Sequence, residues 1–415
     1  MAMPAVGTNE FRYDGSDRFR VSIAIDEWIM SREIFLDNNA TTQPLPEVTA
    51  AVVAAMSESF GNASSSNRAG ERARRVLRES RESVARLIGA APNSISFTSG
   101  ATEANNWVLQ RTCQKPGSFL VTSEAEHSSI KNLCDFLEGS GTQVERLPVD
   151  ECGRVNVNQL AEAVSREPTL VSVHWVNNET GTVQPVDEIA AVCRERGMLF
   201  HTDASQVVGK LPVDVTTLGC DFLSFSAHKF HGPQGVGGLY IRPGVKLLPL
   251  MFGGSQENGR RAGTENLPGI AGTGAAAAQR LGSLNATIER LQRLRDRLES
   301  AALAQISDVF VNGDVRRRIC NTTNLRFEGV NGEALVARLD QRGIRCSQSS
   351  ACTNQRPEPS YVLRAMGLSE AQAYSSIRFS VSSLNSDNEI DECVEILAEL
   401  VSDMRRFSLR TAISK

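Results

Sequence analysis

The sequence predicts an α/β fold, a mostly parallel sheet covered by helices, joined to a smaller α+β domain. Three observations predict it. From about residue 90 to 245, short apolar runs alternate with helical stretches, the pattern of βαβ units and a doubly covered sheet. A long charged helix with leucines at helical spacing follows, "SLNATIERLQRLRDRLESAALAQI". Beyond it, strand-like and helical segments mix without that regular alternation.

Taken in order, "SISFTSG" reads as a strand and "ATEANNWVLQRT" as the helix after it. "GSFLVTS", "LVSVHWV", "GMLFHTD", "DFLSFS" and "GVGGLYI" are further strands, rich in Val, Phe, Leu and Ile and bounded by Gly or Ser. Between them lie amphipathic helices such as "PVDEIAAVCRERG", which Gly197 ends. The long charged helix follows "GTGAAAAQRLG" and bridges into the second domain. That domain holds a strand "TTNLRF", a helix "GEALVARLDQRG" and a final helix "NEIDECVEILAELVSDMRRF". The expected division is a large domain over 38–284 and a small one built from 1–37 and 285–415.

The 415 residues suffice for roughly two or three domains. With 44 basic and 48 acidic residues and a net charge of -4, nothing favours a direct nucleic-acid partner. No apolar run approaches the ~20 residues needed to span a bilayer, so no membrane partner is expected. The first residues lack the apolar core of a secretory signal, and Glu10, Asp14, Asp17, Asp26 and Glu27 argue against a transit peptide. Nine cysteines, scattered and without a CxxC pair, suit a reduced, cytoplasmic setting and give no zinc site. Eight of them read as small buried apolar residues. "HKFH" places His228 and His231 around Lys229, but with no third ligand no metal site is expected.

In α/β sheets, ligands collect at the carboxyl ends of strands. "SISFTSG" delivers Gly100, Ala101 and Thr102 there, and "GSFLVTS" is followed by His127. "LVSVHWV" leads to Asn177 and Asn178, "GMLFHTD" ends in Asp203 with Gln206 one turn on, and "DFLSFS" leads to Ser226, His228 and Lys229. One such residue is ordinarily a helix cap or a solvated loop residue; five successive strands doing this make a site. A small turn opening a helix offers N–H groups to a phosphate, with Ser226, His228 and Thr102 completing the cup. Asp203 suits a protonated ring nitrogen, His127 a planar ring, and Lys229 a Schiff base with an aldehyde. Phosphate, pyridine nitrogen, ring and aldehyde together describe pyridoxal 5'-phosphate.

The ordered set "LDNNATT", "FTSGATEANN", "EAEHSS", "NNETG", "HTDASQ", "SFSAHKFHGPQGVG", "RAGTEN", "SSACT" and "SIRFS" resembles the cysteine desulfurases, within the class V aminotransferase group of pyridoxal-phosphate enzymes. The likeness runs from about Phe35 to near Ser386. It implies fold type I, with a seven-stranded sheet, and an enzyme that converts L-cysteine to L-alanine and an enzyme-bound persulfide for a sulfur-acceptor protein, an iron–sulfur scaffold or a thiolation carrier. By the resemblance Lys229 carries the cofactor, Asp203 holds the pyridinium, His127 stacks on the ring and takes part in catalysis, and Gln206 meets the phenolic oxygen. Ala101, Thr102, Ser226 and His228 hold the phosphate. Thr264 reaches the phosphate of the other subunit, which implies a homodimer. Asn178 and Arg378 grip the substrate carboxylate.

Departures are visible too. The family's "GNPSS.H" stretch stands here as "GNASSSN", with Ala63 and Asn67 replacing proline and histidine; "GSACTS" becomes "SSACTN", and "ETG" stands where many members carry an apolar residue. The first 30 or so residues lie outside the resemblance.

Cys352 sits among Ser, Ala, Thr and Gln in "IRCSQSSACTNQRPEPSYVL", polar company for a thiol. The reading is a catalytic thiol on a loop that visits both cofactor and acceptor. Its rival Cys346, beside "GIR", reads as structural. Two other enzyme readings, a selenocysteine lyase and a class V transaminase, share the lysine site; a transaminase needs no mobile thiol. A catalytically idle scaffold for sulfur-transfer partners would lack the need for Lys229, Asp203 and Cys352 together.

Overall fold

The computed structural model describes residues 33–113, 115, 117–348 and 358–413, as backbone alone from 408. The chain enters through a two-residue strand, β1 (Ile34–Phe35), then forms α1 (Pro46–Ser57) and α2 (Arg68–Leu87). Asn67, one of the two family departures in this stretch, caps α2: its side chain accepts from the Gly70 N–H at 3.0 Å. An asparagine in that place is worth about 1 kcal/mol over alanine.

The large sheet is built from β2 (Ile95–Thr98), β3 (Phe119–Ser123), β4 (Gln143–Leu147), β5 (Leu170–Ser172), β6 (Leu199–Asp203), β7 (Phe222–Ser226) and β8 (Gly237–Ile241). Its spatial order is β2-β8-β7-β6-β5-β3-β4. β3, β4, β5, β6 and β7 pair in parallel, and β8 runs antiparallel to both β7 and β2. β2 therefore points the same way as β7, so six carboxyl ends share one edge. The crossovers are α3 (Ala101–Cys113), α4 (Ser128–Gly139), α5 (Val157–Val164), α6 (Val186–Glu195) and the single turn α7 (Val215–Leu218). Gly197, at φ 67°, closes the α6 end as its sequence position implies.

The expected strands all form. β4 was not among them, because this edge strand carries Glu145 and Arg146 on a half-exposed ladder, the charged composition that protects an edge. "LVSVHWV" gives only three strand residues, although Val173 and Trp175 N–H groups still reach His201 and Asp203 carbonyls.

The bridging helix α8 (Leu267–Gln305) is longer than expected at 39 residues, since "GTGAAAAQRLG" lies inside it. Glycine in a helix costs about 1 kcal/mol relative to alanine, and here close packing requires it. A Cβ on Gly272 would come within 2.7 Å of Val52 on α1, and one on Gly274 within 2.6 Å of the Ser80 Cα on α2.

After α8 come β9 (Val309–Asn312), β10 (Thr322–Phe327), α9 (Gly332–Gln341), β11 (Ile344–Arg345) and β12 (Ser347–Gln348). Then follow α10 (Tyr361–Ala365), α11 (Glu370–Tyr374), β13 (Ser376–Ser380) and α12 (Asp387–Ile413). β12-β13-β10-β9 form an antiparallel sheet, and β1 pairs with β11 in parallel. Cys346 falls between β11 and β12, where burial pushes its thiol well up, as suits a structural residue.

Candidate active site

Five strands of the large sheet bring their following residues to one edge. At the end of β6, Asp203 is buried, with Oδ2 accepting from Asn105 Nδ2 at 2.7 Å and Oδ1 from the Ser205 N–H and Oγ. Burial pushes this carboxyl up, but the Ser205 and Asn105 hydrogen bonds and nearby His127 outweigh it and hold it below the usual aspartate value. The result is a dry, ionised carboxylate.

His127 follows β3 and is the N-cap of α4, its Nδ1 accepting from the Ser129 N–H at 3.2 Å. That places the ring proton on Nε2. Burial is the main cause that lowers its basicity, so the ring is neutral near pH 7. Asn105 Nδ2 also donates to Ser129 Oγ at 3.0 Å, and Ser129 Oγ lies 2.9 Å from His127 Nδ1. Asp203 and His127 are thus fixed to each other through two helices, α3 and α4. Behind them Glu126 and His174 form a buried pair at 3.0 Å, with His174 Nε2 unpartnered among the described residues.

The loop from β2 into α3 packs on β7 and β8. The Ala101 N–H donates to Ser226 Oγ at 2.8 Å, at the start of a 13-residue helix. Gly237 makes this possible, since a Cβ there would lie 2.7 Å from the Gly100 Cα. Thr102 is exposed on the first turn. His228 is pushed down to about 4, by burial first and then by Lys229, so it is a neutral hydrogen-bonding group, with Nδ1 at 3.1 Å from Thr41 Oγ1.

Lys229 ends the single 3₁₀ turn after β7, and its Nζ donates to the Asn39 and Ala40 carbonyls at 2.6 and 2.9 Å. Gln206 Nε2 donates to the same Asn39 carbonyl at 3.0 Å. Asn39 also joins the second sheet to this edge, donating through Nδ2 to the Asn178 carbonyl and to Thr322 Oγ1. From β13, Arg378 donates to that Asn178 carbonyl at 3.0 Å and to Asp37 Oδ1 at 2.6 Å. Its Nε is buried without a partner among the described residues. Asn178 and Arg378 therefore meet, and Asn39 ties both to Lys229. Thr264 is exposed in the loop before α8. Cys352 lies outside the described residues.

The donor set fits pyridoxal phosphate. A primary amine, a buried ionised carboxylate, a neutral imidazole, and a helix N-terminus with a hydroxyl match its aldehyde, ring nitrogen, ring face and phosphate. Asn105 Oδ1, buried and unpartnered among the described residues beside Asp203, marks a polar pocket wall.

Sequence reading missed Asn39, Asn105, Lys210 and Glu179. The signal for the first two was present: asparagines in "LDNN" and "EANN" sit where a solvated or apolar residue would serve as well, and both are buried.

The model of the class-V aminotransferases matches residues 34–393. A cysteine desulfurase of Trichormus azollae is 43% identical over 377 residues, 90% of this chain and 94% of the relative. Among solved structures, a NifS-like protein superposes with a TM-score of 0.84 at 34% identity, over 89% of this chain and 99% of that one. The structure of SspA in complex with cysteine superposes with a TM-score of 0.75 at 34% identity, over 85% and 100% of the two chains. With the fold, the lysine edge and these likenesses in agreement, the chain belongs to the class-V aminotransferase family, in its cysteine desulfurase branch.

Proposed function

We propose that this protein is a cysteine desulfurase that uses pyridoxal phosphate to take sulfur from L-cysteine, releasing L-alanine and passing sulfur to an acceptor protein. The observation that carries the reading is the meeting of Lys229, Asp203 and His127 on one sheet edge, joined through Asn39 to Arg378 of the other sheet. When bound, the cofactor supplies an electron sink that weakens the bonds of the substrate's α carbon.

The residues divide the rest of the work. The Asp203 carboxylate keeps a proton on the ring nitrogen, and His127, neutral, offers a flat face to the ring. The N-terminus of α3, with Ala101, Thr102, Ser226 and His228, holds the phosphate, and Thr264 is offered to the phosphate of a second copy in a homodimer. Gln206 presents its amide N–H to the phenolic oxygen. Lys229 holds the cofactor and then moves the proton at the substrate's α carbon. Arg378 and Asn178 orient the substrate carboxylate; a guanidinium fork suits that partner. Cys352 acts as the nucleophile: its thiolate attacks the substrate sulfur, the carbon–sulfur bond breaks, and the sulfur stays on the enzyme as a persulfide.

The acceptor is a protein thiol of an iron–sulfur scaffold or thiolation carrier. A cytoplasmic location accords with eight free cysteines among the described residues and with no described helix long and apolar enough to cross a membrane.

The test is direct. Incubation with L-cysteine should yield alanine, and peptide mass should place one extra sulfur on Cys352. Lys229→Ala should abolish both the visible cofactor absorbance and alanine release; alanine formed by that variant would refute the assignment.

A further inference from the structure

We propose that Lys210, buried beneath the site, is a positioning residue that fixes the amide of Gln206 and sets how readily the nitrogen of Lys229 holds a proton. The inference rests on the reading of Lys229 as the cofactor lysine and extends it to a residue which that reading does not use. Lys210 is 4% exposed, yet no carboxylate meets it among the described residues. Its Nζ donates to Gln206 Oε1 at 2.7 Å.

The amide orientation follows from donor chemistry alone. A lysine ammonium only donates, so the amide oxygen of Gln206 must face it. The amide nitrogen must then face the Asn39 carbonyl, an acceptor, at 3.0 Å. That carbonyl also accepts from Lys229 Nζ at 2.6 Å. Lys210 therefore ends a short hydrogen-bonded run to Lys229, and together with the Asn39 carbonyl it holds Gln206 in one amide orientation.

The backbone holds the arrangement. Gly209 has φ +77°, and a Cβ there would stand 2.6 Å from the Phe230 Cβ. The turn carrying Lys210 is thereby pressed against the residue that follows Lys229. Lys210 also donates its N–H to the Val207 carbonyl and accepts from Cys320 Sγ at 3.4 Å.

The charged groups around this pair are mostly cationic. Lys210 faces Lys229, Arg280 of α8 and Arg378 of β13, with the Cys320 thiol also close by. His228 and His127 lie near Lys229, and His127 also feels the Asp203 carboxylate. Burial first, and Lys229 next, push Lys210 down to about 7. The two amines resist each other's protons, and Lys210 is the member of the pair that can be removed without touching the cofactor.

The experiment is a pH titration of the visible absorbance of the full-length, pyridoxal-phosphate-loaded protein. In Lys210→Met, the midpoint should rise by about one unit, a roughly tenfold gain in proton affinity, because the like charge that Lys210 carries below about pH 7 is gone. A merely structural role would lower stability and leave the midpoint where it is; an unchanged midpoint overturns the proposal. Should the methionine variant not fold, Lys210→Gln, which removes the charge and keeps a donor for the Gln206 amide oxygen, should raise the midpoint likewise, and no rise there overturns it equally. If the unaltered protein takes up no cofactor through Lys229, it is the desulfurase reading that fails, a result distinct from either.

Discussion

Glu179 offers a test of the buried electrostatics between the two sheets. It is 2% exposed, and its carboxylate accepts from Ser360 Oγ, the N-cap of α10, with Arg378 close by. Burial pushes its carboxyl up to about 7 from an ordinary 4.5, more than Ser360 and Arg378 pull it down. The folded protein then binds this proton more tightly than the unfolded chain does. Stability from this group is fully present below pH 4.5 and is lost as pH rises to about 7, a loss of ~3 kcal/mol at about 1.36 kcal/mol per unit. Glu179→Gln keeps the shape and an oxygen for Ser360 while removing the titration. Urea unfolding of both proteins across pH 4.5 to 8 isolates the effect, since the other groups cancel in the difference. The variant should gain on the parent by ~3 kcal/mol over that range, mostly between pH 5 and 7. Parallel curves for the two proteins would refute the reasoning and place Glu179 in a wetter or better paired setting than its surroundings imply.

Two further outcomes bear on the reaction. Arg378→Ala should raise KM for L-cysteine at least tenfold, in keeping with a charge-assisted bond worth roughly 1.5–3 kcal/mol; it also frees Asp37, so a KM unchanged within twofold would remove Arg378 from the substrate site. Cys352→Ser should keep the cofactor absorbance and lose protein-bound sulfur. Full sulfur transfer by that variant would move the nucleophile elsewhere.

Much of the large sheet was legible because the signals that specify it are local. β3, β6, β7 and β8 are apolar runs bounded by Gly or Ser, and a strand buried on both faces has little choice but to look like that. β4 escaped because an edge strand must carry charge, and charge erases the apolar signal. The start of α8 was missed for a related reason: its glycines weaken the helical pattern, and they are there so that two helices can approach it closely. Local propensity and tertiary contact disagree in that segment, and contact prevails.

The site divides in the same way. Residues that end strands, such as Asp203 and Ser226, could be found by asking what each strand hands to one edge. Asn39 carried only its place in the "LDNN" stretch as a signal, and Lys210 and Glu179 carried none, because their importance arises when distant segments meet. Asn39 is joined to Asn178, Thr322 and Lys229, which lie 139, 283 and 190 residues away. A buried lysine and a buried glutamate each look like solvated surface residues in a sequence, since most are. What distinguishes Lys210 is a neighbourhood of cations, and what distinguishes Glu179 is a serine hydroxyl and little water. Both conditions are set by packing between the two sheets. A sequence reading of this family therefore finds the groups that touch the cofactor more readily than the groups that tune them, and substitutions beneath the pocket are where its predictions have most to gain from experiment.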